Sequence, residues 1–301
     1  MLSRLITRLI AAQAGWAAPL GRFNQRWLSA LFRPMRFAKD FLNGSWLGHP
    51  LHALLTDVPV GSFTLLLIFD FFDQRVAADV CLALGILSML AAAAACAADY
   101  TDTDDHPLMV ATVHATVMVL TLVVFIVSMV LRLGQAPGAS RTVPFALDVV
   151  GYLMLSAGAY LGGEVAYTLG NMVNRHGWRF FGPGKWQALD VTDIPEGTLV
   201  KAKAGAQALV IVRNGETIMA LHDSCAHSGG SLSGGKLVGG AVECPLHGSR
   251  FDMATGFRRR GPTDYDQPSF QVRRATAGGW EARRVSVGSG EPPEAVEVAA
   301  H

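Results

Sequence analysis

The sequence predicts a two-part protein, an all-α transmembrane four-helix bundle followed by a small all-β domain. Two observations carry this reading. Four apolar runs follow one another, approximately Leu51 to Phe72, Val76 to Ala98, Met109 to Leu131 and Phe145 to Leu169, and each approaches the ~20 residues that span a bilayer. From Phe181 onward the texture changes to short alternating segments, such as Gln207 to Arg213 and Ala241 to Cys244, separated by Gly, Pro and Asn-Gly turns. That is the pattern of short strands. The length of 301 residues allows two domains, and a composition 50% hydrophobic and only 16% charged calls for a membrane portion.

Residues 1–47 form a basic amphipathic segment. Arg4, Arg8, Arg22, Arg26, Arg33, Arg36 and Lys39 stand against one acid, Asp40, and are interleaved with Leu, Ile, Trp and Phe, which suits a helical segment lying in the lipid headgroup region. Retention is expected rather than cleavage as a signal peptide, because Arg8 interrupts what would be the apolar core of the signal. Residues 48–172 carry the four spans, the first beginning near His49 and bending at Pro59. The basic N-terminus is placed in the cytoplasm by the positive-inside rule, and four crossings return the C-terminal domain to that side, where Arg175, Arg179 and Lys185 agree. Arg132 and Arg141 weigh mildly against this, and no Arg-Arg export signal precedes the spans. The expected location is the inner membrane of a bacterium, with the β domain of residues 181–288 cytoplasmic. Residues 289–301 read as a disordered tail.

The four cysteines divide into two kinds. Cys81 and Cys96 lie in one apolar run, about 22 Å apart along a helix, beyond disulfide reach, and are expected to be inert packing residues. Cys225-Ala226-His227 and Cys244-Pro245-Leu246-His247 are different, since each short loop supplies one thiolate and one imidazole. This donor set suits a [2Fe-2S] cluster with two cysteines on one iron and two histidines on the other. A tetrahedral zinc site would use the same four residues, but zinc sites usually pair like ligands as CxxC and HxxxH.

With these ligands stand His227-Ser228-Gly229-Gly230, Leu232, Gly248-Ser249-Arg250-Phe251-Asp252, Thr255-Gly256 and Gly261-Pro262. On these motifs the chain from roughly Phe181 to Ser286 resembles the Rieske [2Fe-2S] family. The resemblance implies that Gly229 and Gly248 let backbone amides approach the cluster sulfurs, that Ser249 donates to the cluster, and that Pro262 belongs to the loop covering it. In Rieske proteins of cytochrome bc complexes each cluster loop carries an additional cysteine; the matching positions are Gly230 and Leu246, so that disulfide is absent. Phe251 stands where that branch has a tyrosine donating to a ligand sulfur. Fewer donors imply a lower potential, as in Rieske ferredoxins.

Gly48-His49-Pro50-Leu51-His52 with Thr56-Asp57-Val58-Pro59 resembles an uncharacterised family of bacterial four-span membrane proteins sometimes fused to Rieske domains, which supplies no reaction. Alternating spans place His49, His52, Asp57, Asp99, His106, His114 and Glu164 on one membrane face. Ionisable groups within spans are functional candidates by default. His52 and His114, with Asp57 and Glu164, form the candidate second site, for haem, another metal, or proton handling beside a quinone. The plainer reading is hydrogen bonding among themselves and to headgroups.

The expected function is one-electron transfer between the cluster and a protein redox partner, a reductase or oxidase component, on a chain anchored in membrane lipid, with quinone as a further candidate partner. The alternative is a redox sensor whose cluster state alters the bundle. A self-contained oxygenase is not expected, since no mononuclear-iron domain with two histidines and a carboxylate follows the β pattern. Nucleic acid is set aside, because the net charge is +1 and no basic stripe carries interleaved aromatics. Arg258, Arg259 and Arg260, with Arg250, read either as a collar steering an acidic partner or as a solvated loop.

Overall fold

A computed structural model describes residues 2–134, 136, 138–177, 184–276 and 278–285. The tail at 289–301 lies outside the described residues. The chain divides into two compact units, residues 1–171 and 172–301.

The first unit is helical: α1 (Leu2–Ala11), α2 (Ala14–Phe32), α3 (Arg36–Asn43), α4 (Leu51–Phe71), α5 (Arg75–Tyr100), α6 (Asp105–Leu133) and α7 (Thr142–Gly163). Helices α4 to α7 are long and apolar enough to cross a membrane, and their bounds fall within a few residues of the apolar runs read from the sequence. α4 starts directly after Pro50 and continues through Pro59. α7 runs on into one π-helical turn, Glu164–Thr168. The four long helices pack as a ring, α4 on α5, α5 on α6, α6 on α7 and α7 on α4, as short connections between successive helices require. Phe63 and Phe125 stack at its centre with ring centroids 3.7 Å apart, surrounded by Leu66, Leu82 and Leu155. α2 packs on α6, and α3 on α5. Phe23, Trp27 and Phe37 remain exposed on these N-terminal helices, and the buried Lys39 Nζ meets Asp102 Oδ1 at 2.6 Å.

At one end of the bundle Arg132 of α6 binds Asp70 of α4 and Asp148 of α7, and reaches Asp79 of α5 at 3.0 Å. Arg141 closes on Asp79 through both guanidinium nitrogens at 2.7 Å. All four long helices are thus tied together by three carboxylates on two guanidinium groups. Arg132 and Arg141, which stood against the positive-inside count, have this structural task.

The second unit holds two antiparallel sheets. Its strands are β1 (Gln187–Ala188), β2 (Val200–Ala204), β3 (Gln207–Asn214), β4 (Thr217–His222), β5 (Lys236–Val238), β6 (Ala241–Glu243), β7 (Arg250–Asp252), β8 (Arg258–Arg260), β9 (Ser269–Arg274) and β10 (Trp280–Arg284). The larger sheet runs β1-β10-β9-β4-β3-β2 and the smaller β5-β6-β7-β8. Asn214-Gly215 turns β3 into β4, in register from Asn214 against Thr217 to Leu209 against His222. Strand β3 is buried on both faces. Leu209 and Ile211 join Phe270 and Trp280 in one core, while Val210 and Val212 join Cys225, Cys244 and Phe251 in the other. Two-residue side-chain alternation makes one apolar run serve two cores, the second of which forms the floor of the Cys/His loops.

Candidate functional site

Cys225 and Cys244 sit in two loops built on the same plan. In the loop after β4, the Cys225 N–H donates to Gly230 O at 2.9 Å and the Gly229 N–H returns to Cys225 O at 2.9 Å. In the loop joining β6 to β7, the Cys244 N–H donates to Ser249 O at 2.8 Å and the Gly248 N–H returns to Cys244 O at 3.1 Å. Gly229 and Gly248 close these turns at φ +76° and +78°, a left-handed conformation costing other residues about 1–2 kcal/mol. The sequence assigned the two glycines to the cluster surroundings; the structure gives them this turn-closing task.

Cys225 and Cys244 are buried together in the second core. The neighbouring Cys225 thiol holds Cys244 below the usual thiol range, against the opposing effect of burial and with help from the backbone N–H groups of Leu246 and His247. Cys225 is pushed up by sharing that proton with Cys244 and by burial, while the N–H groups of His227 and Ser228 pull it down. The backbone N–H groups of residues 227, 228, 246 and 247 thus favour the thiolate forms, a part the sequence had not assigned to them. Opposite the sulfurs, the rings of His227 and His247 meet edge to face, 5.0 Å between centroids.

The fit to a two-iron group follows from this pairing. The two cysteines share one buried core and the two imidazoles meet edge to face, and among the described residues the four do not gather within 4.8 Å of one another as the donors to a single ion would. Thiolates backed by amide N–H groups are what cluster ligation asks of a protein.

The second layer is partly as read from the sequence. Ser249 is fully buried and accepts the Thr263 N–H at 3.3 Å, which leaves its own O–H as a donor. Pro262, following the cis bond from Gly261, is buried in the loop 261–267. A Cβ on Gly230 would stand 2.9 Å from Leu246 Cγ and 3.2 Å from Cys244 Sγ, so positions 230 and 246 are indeed juxtaposed, with leucine filling the space. Phe251 is fully buried beneath both cysteines.

Three residues in this layer escaped the sequence reading. Gln267 donates to His222 O at 2.6 Å and Ser224 O at 2.7 Å and accepts the Ala226 N–H at 3.0 Å. His176 Nε2 donates to Ser224 O at 2.7 Å and Arg175 Nε to His227 O at 3.2 Å. All three clamp the first Cys/His loop from more than 40 positions away, and no local spacing signal marks them. Arg250 and Arg260 reach Glu243 at 2.5 and 3.8 Å, and Arg259 pairs with Asp252, so ion pairs within the smaller sheet hold three of the four arginines singled out in the sequence.

Asp264 in the covering loop is 7% exposed, and its carboxylate oxygens find no hydrogen-bond donor among the described residues. Burial pushes it up to about 7, with the Arg258 charge opposing. A carboxyl raised on folding binds its proton more tightly in the native state, so its contribution to stability is greatest at low pH and is lost as pH rises from about 4 through 7. Asp264→Asn should therefore raise the melting temperature at pH 8, with the gain shrinking toward pH 4. A gain independent of pH, or a loss at pH 8, would contradict this.

In the helical unit the structure brings His52 and His114 together, with ring centroids 6.4 Å apart. It does not add the two acids expected beside them: Asp57 is exposed on α4, and Glu164 accepts the Thr168 hydroxyl at 3.0 Å. The third donor near the pair is Cys96, read from the sequence as packing only; its sulfur and the two imidazoles lie within 4.8 Å of one another.

Residues 184–271 match the family model described as Rieske [2Fe-2S] domain, and residues 48–175 match that of a predicted membrane protein family, DUF2231. Ferredoxin CarAc of Metapseudomonas resinovorans is 35% identical over 82 residues, 27% of this chain and 77% of that protein. The ferredoxin component of a naphthalene 1,2-dioxygenase system of Pseudomonas putida is 31% identical over 90 residues, 30% of this chain and 86% of that one. Among solved structures, the ferredoxin of carbazole 1,9a-dioxygenase from Nocardioides aromaticivorans is similar at 21% identity, covering 33% of this chain and 98% of its own, with a TM-score of 0.29.

Proposed function

Because the chain belongs to the Rieske [2Fe-2S] family, here joined to a DUF2231 membrane domain, we propose that it is a membrane-anchored one-electron carrier whose cluster is held by Cys225, His227, Cys244 and His247. The observation that carries the assignment is that Cys225 and Cys244 are buried in one core, each on a loop of the same build, while the imidazoles of the same two loops meet edge to face, 5.0 Å between centroids. The bound cluster supplies a one-electron couple raised by its two neutral imidazole ligands. The chain's own residues set the rest. The amides of 227, 228, 246 and 247 stabilise thiolate charge, and Phe251, Val210 and Val212 keep water from the sulfur side. His227 is buried whereas His247 is half-exposed beside the exposed Leu246, so electrons exchange through the His247 edge.

Several relatives are ferredoxin components of dioxygenase systems, which supports a protein redox partner of the reductase or oxygenase type. Four apolar spans anchor the chain in lipid, confining encounters to the bilayer, where a quinone is the further candidate partner. The positive-inside count supports a bacterial inner membrane with the β domain cytoplasmic. The test is steady-state electron flow from a ferredoxin reductase to an excess of one-electron acceptor through the purified full chain. Sustained turnover supports a carrier; a single reduction without turnover supports the sensor instead.

The potential should fall in the lower part of the roughly −150 to +300 mV span of Rieske centres, because no cysteines occupy positions 230 and 246 and residue 251 has no hydroxyl. Phe251→Tyr should raise it by adding a buried donor near the sulfurs. A redox titration followed by electron paramagnetic resonance reads both, and a wild-type value near the upper limit would overturn the donor-count argument.

A further inference from the structure

We propose that the helical unit carries a second metal site, for a soft transition-metal ion of the copper or zinc type, ligated by His52, Cys96 and His114. The three ligands come from α4, α5 and α6, and their donor atoms lie within 4.8 Å of one another. Nitrogen and sulfur bound tetrahedrally to one first-row ion at about 2.0–2.1 and 2.3 Å stand about 3.6 Å apart, so the donors would draw in by up to about 1 Å on binding.

The hydrogen bonds of the two rings prepare them for this task. His52 Nδ1 lies 2.9 Å from Ala92 O and His114 Nδ1 lies 2.8 Å from Gly158 O. A carbonyl can only accept, so each Nδ1 carries the proton and each Nε2 keeps its lone pair. Ligating histidines are oriented in this way, with one nitrogen donating to a fixed acceptor and the other free for the metal. Ala92 lies one turn before Cys96 on α5, and Gly158 lies on α7, so all four spanning helices frame the site. Gly162, also on α7, leaves the space: a Cβ there would be 3.2 Å from His114 Cε1.

The donor chemistry sets the class of ion. One thiolate and two imidazoles with no carboxylate select copper or zinc over magnesium, calcium or manganese. Binding releases the thiol proton as the metal–sulfur bond forms, with no change in oxidation state. The site is independent of the cluster proposal, since none of its ligands belongs to the β domain.

The experiment uses the purified full chain with its cluster loaded and Co(II) as probe. Wild type should develop a thiolate-to-cobalt charge-transfer band at one cobalt per chain, removed by competing zinc. Cys96→Ser should abolish the band while iron content stays unchanged, and His52→Ala and His114→Ala should each weaken binding by more than about 100-fold, beyond what loss of an outer-shell partner costs. Wild type also provides a measurement needing no variant, because zinc should slow alkylation of Cys96 but not of Cys81, mapped by mass spectrometry. A band retained in Cys96→Ser would place the metal on the cluster cysteines. That result, or Cys96 alkylation indifferent to zinc, overturns the proposal.

Discussion

His247→Ala should abolish the iron–sulfur cluster. Wild-type protein should hold two irons per chain and, once reduced, give the low-average-g paramagnetic signal of mixed Cys/His ligation; His247→Ala should fall to background in both, as should Cys225→Ala. On the proposed assignment the imidazole pair would bind one iron; the rings lie 5.0 Å apart, and neither loop carries another histidine to replace a lost one. Removing Cys225 takes away one of the two sulfur donors outright. Cys81→Ala, in a separate compact unit, should leave iron and signal unchanged. One zinc per chain in place of two irons, or a persistent signal in His247→Ala, would end the assignment.

The largest effect on stability is expected at Arg132. Its side chain is 1% exposed, and those of Asp70 and Asp148 are 3% and 0% exposed. Arg132→Leu would leave both carboxylates buried without their cation, a loss of about 3–5 kcal/mol for a broken buried pair. Asp79 suffers less because Arg141 still holds it. Thermal melting of the helical unit in detergent, followed by circular dichroism, should fall by roughly 10 °C, while the cluster signal at low temperature persists. Adding Asp70→Asn and Asp148→Asn to Arg132→Leu should recover much of the loss, because the uncompensated charges then disappear. A melting change within a degree or two for Arg132→Leu alone would show that the network carries little of the bundle's stability.

The helical and β halves were legible in the sequence because their signals are local. A bilayer imposes a minimum apolar length on each span, so Leu51–Phe71 and its three successors declare themselves by run length. Likewise Cys225, His227, Cys244 and His247 fall in two loops of three and four residues, where spacing alone fixes which donors lie side by side. The apolar run of β3 was read as a strand, yet its burial on both faces depends on having a second core against it.

Local sequence signals therefore set the order of elements, the proposed donor set of the cluster, and which branch-specific residues, at 230, 246 and 251, are replaced. Tertiary structure alone decided the rest, because contacts between helices depend on rotation about each axis and on axial register, neither of which hydropathy encodes. Run length placed His52 and His114 at one end of the bundle, but only the facing of α5 put Cys96 beside them in place of Asp57 or Glu164. The same rotation turned Arg132, a loop-charge liability in the sequence, into the cation shared by three helices. Gln267 and His176 clamp a loop more than 40 residues away, and no spacing rule reaches that far; chain folding brings such groups together because a buried carbonyl such as Ser224 O requires a donor, whichever segment supplies it.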